Sequence, residues 1–243
     1  YNGLHLEGKM SDIFHRMKER GIPTVALAEE AIPDSLLRES STFAGNYDPH
    51  VWFDVELWKR VAERLAVALE EMDPGHAEEY GRRLAEYSSR LDSLDGYVRM
   101  KARELPEERR VIITSHDAFG YFGRAYDFEV RGLQGISTAT EAGTADVQAL
   151  AEFVAERRIP ALFVESSVSA RGIEAVREAV RSRGFEVSIG GTLFGDALGN
   201  PGTPEGEYTG MIRFNIDTIT SSLKGEGRSL AEHRSPGKSG AAI

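Results

Sequence analysis

Histidine and carboxylate side chains are the residues of this sequence whose chemistry could bind a metal ion. The sequence contains six histidines and no cysteine, so structural disulfides and cysteine-type zinc sites are excluded. His50 lies in residues 47–54 (YDPHVWFD), where Pro49 stiffens the backbone just before a predicted helix. A core histidine bonded to a backbone carbonyl could have the same surroundings, so this segment alone leaves both interpretations open.

Three further candidates follow predicted strands. His116 comes almost directly after a strand at 111–114, Glu165 ends a strand at 161–164, and Asp196 follows the last strand in the glycine-rich run GGTLFGDALG. Ligands of open α/β sheets bind beyond the carboxyl ends of the strands, although a helix-capping histidine or a turn aspartate would occupy similar places. Two histidines and carboxylates gathered there would suit zinc or manganese.

The remaining histidines are weaker candidates. His15 lies among charged residues of a predicted helix, His76 at a helix start and His233 in the polar tail, so we expect all three to be solvated. His5 stands in residues 2–7 (NGLHLE), and a histidine there is more often satisfied by hydrogen bonds than by a metal.

Composition narrows the function classes. The chain has 243 residues, 41% of them hydrophobic, and a formal net charge of −10. This charge argues against nucleic acid, which requires clustered Lys and Arg, and no apolar run approaches the roughly 20 residues of a membrane span. The sequence contains no HExxH, P-loop or GxSxG motif.

Apolar periodicity predicts two helices and one strand in the first part of the chain, residues 1–75. A short helix is predicted at 9–20 and a strand at 24–28. A longer helix is predicted at 55–72, with Leu or Val every four residues and Asp54 as its N-cap. The amphipathic pattern of residues 76–105 then predicts one helix of about 42 Å, long enough to join two lobes.

From residue 106 to 224 the pattern predicts alternating strands and helices, which is typical of a parallel sheet covered on both faces. The predicted strands are 111–114, 128–130, 161–164 and 185–189, and the predicted helices include Phe119 and Phe122, then 146–157, 173–183 and 207–223. Residues 225–243 are polar and aperiodic, so we expect a disordered tail.

Six segments resemble, in their order along the chain, the TroA/ZnuA-like metal-binding receptors of bacterial ABC transporters. They are NGLHLE at 2–7, DPHVW at 48–52, SHDAFGYF at 115–122, GLQGIS at 132–137, FVES at 163–166 and GTLFGDALG at 191–199. The resemblance implies an α/β fold with two parallel-sheet lobes joined by one long helix, and a metal bound between the lobes.

The resemblance also implies site residues. The metal ligands would be His50 from the first lobe and His116 and Asp196 from the second. Glu165 would orient a ligand. Some manganese-type members carry Glu where His116 stands, so this histidine favours zinc without excluding manganese. Family members have a further histidine ligand upstream of the segment that contains His5, so we expect the first lobe to be truncated at its N-terminus.

The function implied by the resemblance is that of a solute-binding receptor outside the cytoplasm, in the periplasm or anchored by a lipid. It would act as a monomer, carry Zn²⁺ or Mn²⁺ as transported ligand and deliver it to an ABC permease. One alternative is a zinc hydrolase that uses the same ligands, with Glu165 or Glu141 as general base. Another is an adhesin-like surface protein without a metal.

Overall fold

The longest element of the fold is the helix α4, which the amphipathic pattern of residues 76–105 predicts. The computed structural model describes residues 1–39, 46–138 and 142–225. In this structure α4 spans Ala77–Ala102, about 39 Å at 1.5 Å per residue. Leu91, Leu94 and Val98 form its fully buried face.

The first part of the chain, before α4, is helical in the residues that the structure describes. Its helices are α1 (Ser11–Glu19), α2 (Leu27–Ala31) and α3 (Val55–Met72). The bounds of α3 are those predicted, and the Asp54 carboxylate caps it by accepting the backbone N–H groups of Glu56 and Leu57 at 3.1 and 3.3 Å. Short 3-10 turns lie at Gly8–Met10, Asp34–Leu36, Val51–Phe53 and Pro74–His76.

The predicted strand at residues 24–28 is wrong, because the chain enters α2 at Leu27. The backbone N–H groups of Leu27 and Ala28 donate to the carbonyls of Tyr1 and Asn2 at 2.9 Å each. Donors that a strand would offer to a neighbouring strand are thus satisfied by the first residues of the chain. Two glutamates in the first turn of α2 also favour a helix start there.

After α4 the predicted alternation of strands and helices is present. The strands are β1 (Val111–His116), β2 (Glu129–Gln134), β3 (Ala161–Glu165) and β4 (Ser188–Leu193). The helices are α5 (Gly120–Tyr126), α6 (Thr144–Arg157), α7 (Arg171–Arg181) and α8 (Tyr208–Leu223), with 3-10 turns at Glu107–Arg109 and Pro204–Gly206. The last strand, β4, is shifted towards the C-terminus relative to its predicted range of 185–189. It starts at Ser188 because that residue is the first to pair with β3, opposite Ala161.

The four strands form two parallel pairs. β1 pairs with β2, and β3 pairs with β4 with an irregularity between Leu162 and Phe163. Strands β1 and β3 lie close to one another. Alternate residues point to opposite faces: Ile112 and Phe163 pack towards α4, α5 and α8, whereas Ile113 and Leu162 pack towards α6 and α7. Helices therefore cover both faces of the strands, as predicted.

The helix α4 connects the first part of the chain with the α/β part. It packs against α3 on one side and against α5 and α8 on the other. Val61 of α3, Leu94 of α4 and Ile216 of α8 belong to one continuous hydrophobic core. The fold is thus α/β, with parallel strand pairs and two lobes linked by a long helix, as predicted.

Three sequence predictions lie outside the described residues. They are the disordered tail beyond Gly225, the solvated His233 and the candidate general base Glu141. Among the helices that the structure describes, none combines the length and the apolar character that crossing a membrane requires.

Candidate metal centre

His50 is held in a fixed orientation by the residue two positions before it. His50 is 2% exposed, and Nδ1 of its imidazole lies 2.7 Å from Oδ1 of Asp48. The same oxygen accepts the backbone N–H of His50 at 3.0 Å. The other carboxylate oxygen of Asp48 pairs with Nη1 of Arg38 at 2.5 Å. With Nδ1 occupied in this way, Nε2 is the nitrogen that His50 presents to the site.

His116 is the last residue of β1 and is fully buried. Its Nδ1 lies 2.7 Å from Oε2 of Glu165, and its backbone N–H donates to Oε1 of Glu165 at 2.9 Å. Glu165 is the last residue of β3, so the closeness of two parallel strand ends creates this contact. As in His50, the carboxylate on Nδ1 turns Nε2 towards the site.

Asp196 completes the cluster from the loop after β4. Its Oδ1 lies 3.4 Å from Nε2 of His50 and 3.4 Å from Nε2 of His116. One ligand atom from each of the three residues can be chosen so that all lie within 4.8 Å of one another. The histidines are buried and the aspartate side chain is 32% exposed, so the cluster opens towards solvent on the aspartate side.

The mutual contacts shift the pKa values of all three side chains. Burial lowers the pKa of both histidines. The carboxylates outweigh it: Asp196 and Asp48 raise the pKa of His50 above its usual value, and Asp196 and Glu165 raise that of His116 to about 10. Burial raises the pKa of Asp196, but hydrogen bonds from the two histidines hold it well below its usual range. A metal cation would take the place of the protons that these pKa values describe.

Glycine at two positions permits the close packing around the cluster. A Cβ at Gly195 would lie 2.5 Å from Oε2 of Glu165 and 3.4 Å from Cε1 of His116. A Cβ at Gly132 would lie 2.4 Å from the backbone nitrogen of Asp117. The glycines noted around Asp196 in the sequence thus include one whose missing side chain allows the loop to approach the buried carboxylate.

The other histidines that the structure describes are not part of the cluster. His5 and His15 are exposed, and the exposed His76 pairs with Asp73. Glu165 directs one oxygen to Nδ1 and the other to the backbone N–H of His116, which suits a residue that orients a ligand. That placement does not suit the general base of a hydrolase.

Four side chains that support the site were not predicted as functional. Asp48 stood in the DPHVW segment without a role, and its position two residues before His50 is the available sequence signal. The roles of the other three become visible only in the structure. Arg38 pairs with Asp48, the Tyr121 hydroxyl donates to the Asp48 carbonyl at 2.9 Å, and the Trp52 indole donates to the Gly195 carbonyl.

Comparison with known proteins agrees with this fold. The family model described as "ZnuA: Zinc-uptake complex component A periplasmic" matches residues 1–222. The chain belongs to this family. The resemblance to TroA/ZnuA-like receptors that the sequence segments indicate is therefore confirmed. The family is one of transporter receptors and not of enzymes, so the hydrolase alternative is not supported.

Individual relatives of this family are close in sequence and structure. The zinc-binding protein TroA of Treponema pallidum (strain Nichols) is 51% identical over 223 residues, which are 92% of this chain and 71% of that protein. The manganese-binding lipoprotein MntA of Bacillus subtilis (strain 168) is 44% identical over 227 residues, or 92% of this chain and 72% of that protein. The solved structure of the periplasmic zinc-binding protein TroA matches with a TM-score of 0.87, covering 92% of this chain and 79% of that one.

Proposed function

We propose that this protein captures a divalent transition-metal ion with His50, His116 and Asp196 and delivers it to an ABC permease. The observation that carries the proposal is the convergence of three ligand atoms, one from each residue, within 4.8 Å. The metal ion is the transported substrate. Its binding requires no bond making or breaking in another molecule, in agreement with a receptor family and not an enzyme family.

The donor set favours zinc and also accepts manganese. Two imidazole nitrogens and one carboxylate oxygen are common ligands of both ions, and imidazole suits zinc in particular. A zinc-binding relative is 51% identical and a manganese-binding relative 44% identical to this chain. Zinc in a closed site takes four ligands, so the three side chains leave one coordination position for a further donor.

The partners follow from the proposed role. The receptor acts as a monomer, in the periplasm or lipid-anchored outside the cytoplasm, and its docking partner is the membrane permease. Related proteins that are named as periplasmic or as lipoproteins support this location. The net charge of −10 favours cations over nucleic acid as ligands.

The decisive test is the metal affinity of a ligand variant. His116→Ala removes one nitrogen donor. We expect zinc affinity to fall by about tenfold or more, because losing even a residue that only hydrogen-bonds to a metal ligand lowers metal affinity by about tenfold. Calorimetric titration measures the change. His15→Ala, an exposed histidine on α1, is the matched control and should bind zinc like the parent protein.

Two other results would redirect the proposal. Metal-dependent turnover of ester, amide or phosphate substrates would favour the hydrolase. Absence of tight binding of either zinc or manganese would favour an adhesin-like surface role.

A further inference from the structure

A hydrogen bond between distant parts of the chain connects the segments that carry His50 and Asp196. The indole Nε1 of Trp52 donates to the carbonyl oxygen of Gly195 at 3.3 Å, although 143 residues separate the two. Trp52 stands two residues after His50, and Gly195 directly precedes Asp196. The bond therefore joins the neighbourhoods of two metal-binding side chains that belong to different lobes.

Trp52 is itself fixed in place by further contacts. Its ring lies edge-on to the His50 imidazole, with centroids 5.2 Å apart. Its backbone carbonyl accepts the hydroxyl of Tyr208 at 2.8 Å, and Tyr208 is the first residue of α8. The Tyr208 ring stacks on Trp58 of α3 at 5.2 Å. The indole N–H is thus presented to Gly195 from a rigid support.

Gly195 has little freedom on its other side. It is buried, and a Cβ at this position would collide with the Glu165 carboxylate, which orients His116. The backbone before Asp196 is therefore confined between Glu165 and the Trp52 indole. Loss of the indole contact would leave this backbone restricted only on the Glu165 side, and no metal ligand would be changed.

We propose that Trp52 is a positioning residue that keeps the Asp196 loop closed over the bound metal ion and slows its release. The inference rests on the proposed function. The bond exists only while the two segments are together, so it stabilises the closed, metal-bound arrangement relative to an open one. Opening must break it, so its effect falls on the dissociation rate more than on the association rate.

The test is the rate of zinc release from Trp52→Phe, measured by stopped-flow mixing of the zinc-loaded protein with excess chelator. Phenylalanine keeps an aromatic ring beside His50 and removes the N–H donor. We expect release to become about fivefold faster, the change that loss of one typical net hydrogen bond produces. Tyr97→Phe is the control, because it removes the hydroxyl that donates to Asp217 at 2.7 Å between α4 and α8, a hydrogen bond that involves no residue of the site. It should release zinc like the parent.

The unfolding midpoint of the metal-free variants separates positioning from simple structural support. If Trp52→Phe lowers the midpoint and leaves the release rate at the parent value, the inference is overturned. If this variant does not fold, benzothienylalanine at position 52 keeps the bicyclic shape and lacks the N–H, and the same acceleration is expected. A parent protein that binds neither zinc nor manganese contradicts the proposed function and this inference with it. If the parent protein binds zinc and Trp52→Phe releases it at the same rate as the parent, only the inference is contradicted.

Discussion

The two histidines of the candidate site are oriented by carboxylates in different ways. His50 is oriented by Asp48, two residues earlier on the same loop, and one carboxylate oxygen takes both the ring and the backbone contact. His116 is oriented by Glu165, 49 residues later at the end of another strand, with one oxygen for each contact. A short segment can carry the first arrangement, whereas the second forms only when β1 and β3 come together.

The surroundings of the two carboxylates differ as well. Asp48 shares its second oxygen with the Arg38 guanidinium, which is partly exposed. Glu165 directs both oxygens to His116 and is 3% exposed. Because each oxygen of Glu165 has its own partner, replacement by an amide must lose one of the two contacts. Asp48 can lose the charge of its second oxygen and still keep both contacts to His50.

The largest effect is therefore expected for Glu165→Gln. An amide presents one oxygen and one NH₂ group, so either the backbone N–H or the Nδ1–H of His116 faces a donor. If the NH₂ group faces Nδ1, the proton moves to Nε2, the nitrogen that should bind metal. We expect zinc affinity to fall by about tenfold to a hundredfold, as measured by calorimetric titration. An unchanged affinity would mean that Glu165 does not orient His116.

Acidification should act on both histidines and weaken metal binding. Their pKa values are raised, that of His116 to about 10, so zinc must displace protons from the metal-free site. We expect zinc affinity to rise by about tenfold per pH unit for each proton displaced, between about pH 6 and pH 8. Competition titrations with a chelator of known proton affinity measure the slope. A pH-independent affinity would contradict protonation of the metal-free histidines.

The stability of the metal-free protein should change with pH in the opposite direction. A raised pKa in the folded state makes the contribution of His116 complete below its unfolded value of about 6.5. That contribution is lost as the pH rises towards about 10. The lowered pKa of Asp196 contributes stability that is lost as the pH falls below its usual range. Unfolding midpoints in the presence of chelator should therefore decline from about pH 6.5 upwards, and His116→Ala should flatten the decline.

The smallest effect is expected for Asp48→Asn. The asparagine oxygen can keep both contacts to His50 while its NH₂ group replaces the oxygen that faces Arg38. The cost is the ion pair to a partly exposed arginine, which is commonly about 1 kcal/mol or less. Zinc affinity should fall by no more than severalfold in the same calorimetric assay. A loss as large as that of Glu165→Gln would show that the Arg38 pair, and not the local geometry, controls His50.

The sequence by itself determined the elements whose pattern repeats locally. Four-residue apolar spacing and an acidic N-cap specify α3 at 55–72, and a longer amphipathic pattern specifies α4, because neighbours on a helix are also neighbours in sequence. His116 and Glu165 were recognised as candidates because they lie at the ends of predicted strands. Asp196 was recognised because it lies in a glycine-rich run. Together with the family segments, these features identified the three residues that the structure brings together.

The tertiary structure alone decided the individual contacts around the three candidate ligands. Glu165 and His116 are 49 residues apart in the sequence, and Trp52 and Gly195 are 143 residues apart. A local periodic pattern cannot predict contacts between residues so far apart in the sequence. The wrong strand at 24–28 has the same origin: strand formation depends on a partner, and the donors of Leu27 and Ala28 are taken by Tyr1 and Asn2. Contacts between residues distant in sequence depend on the packing of whole elements, which a single segment cannot specify.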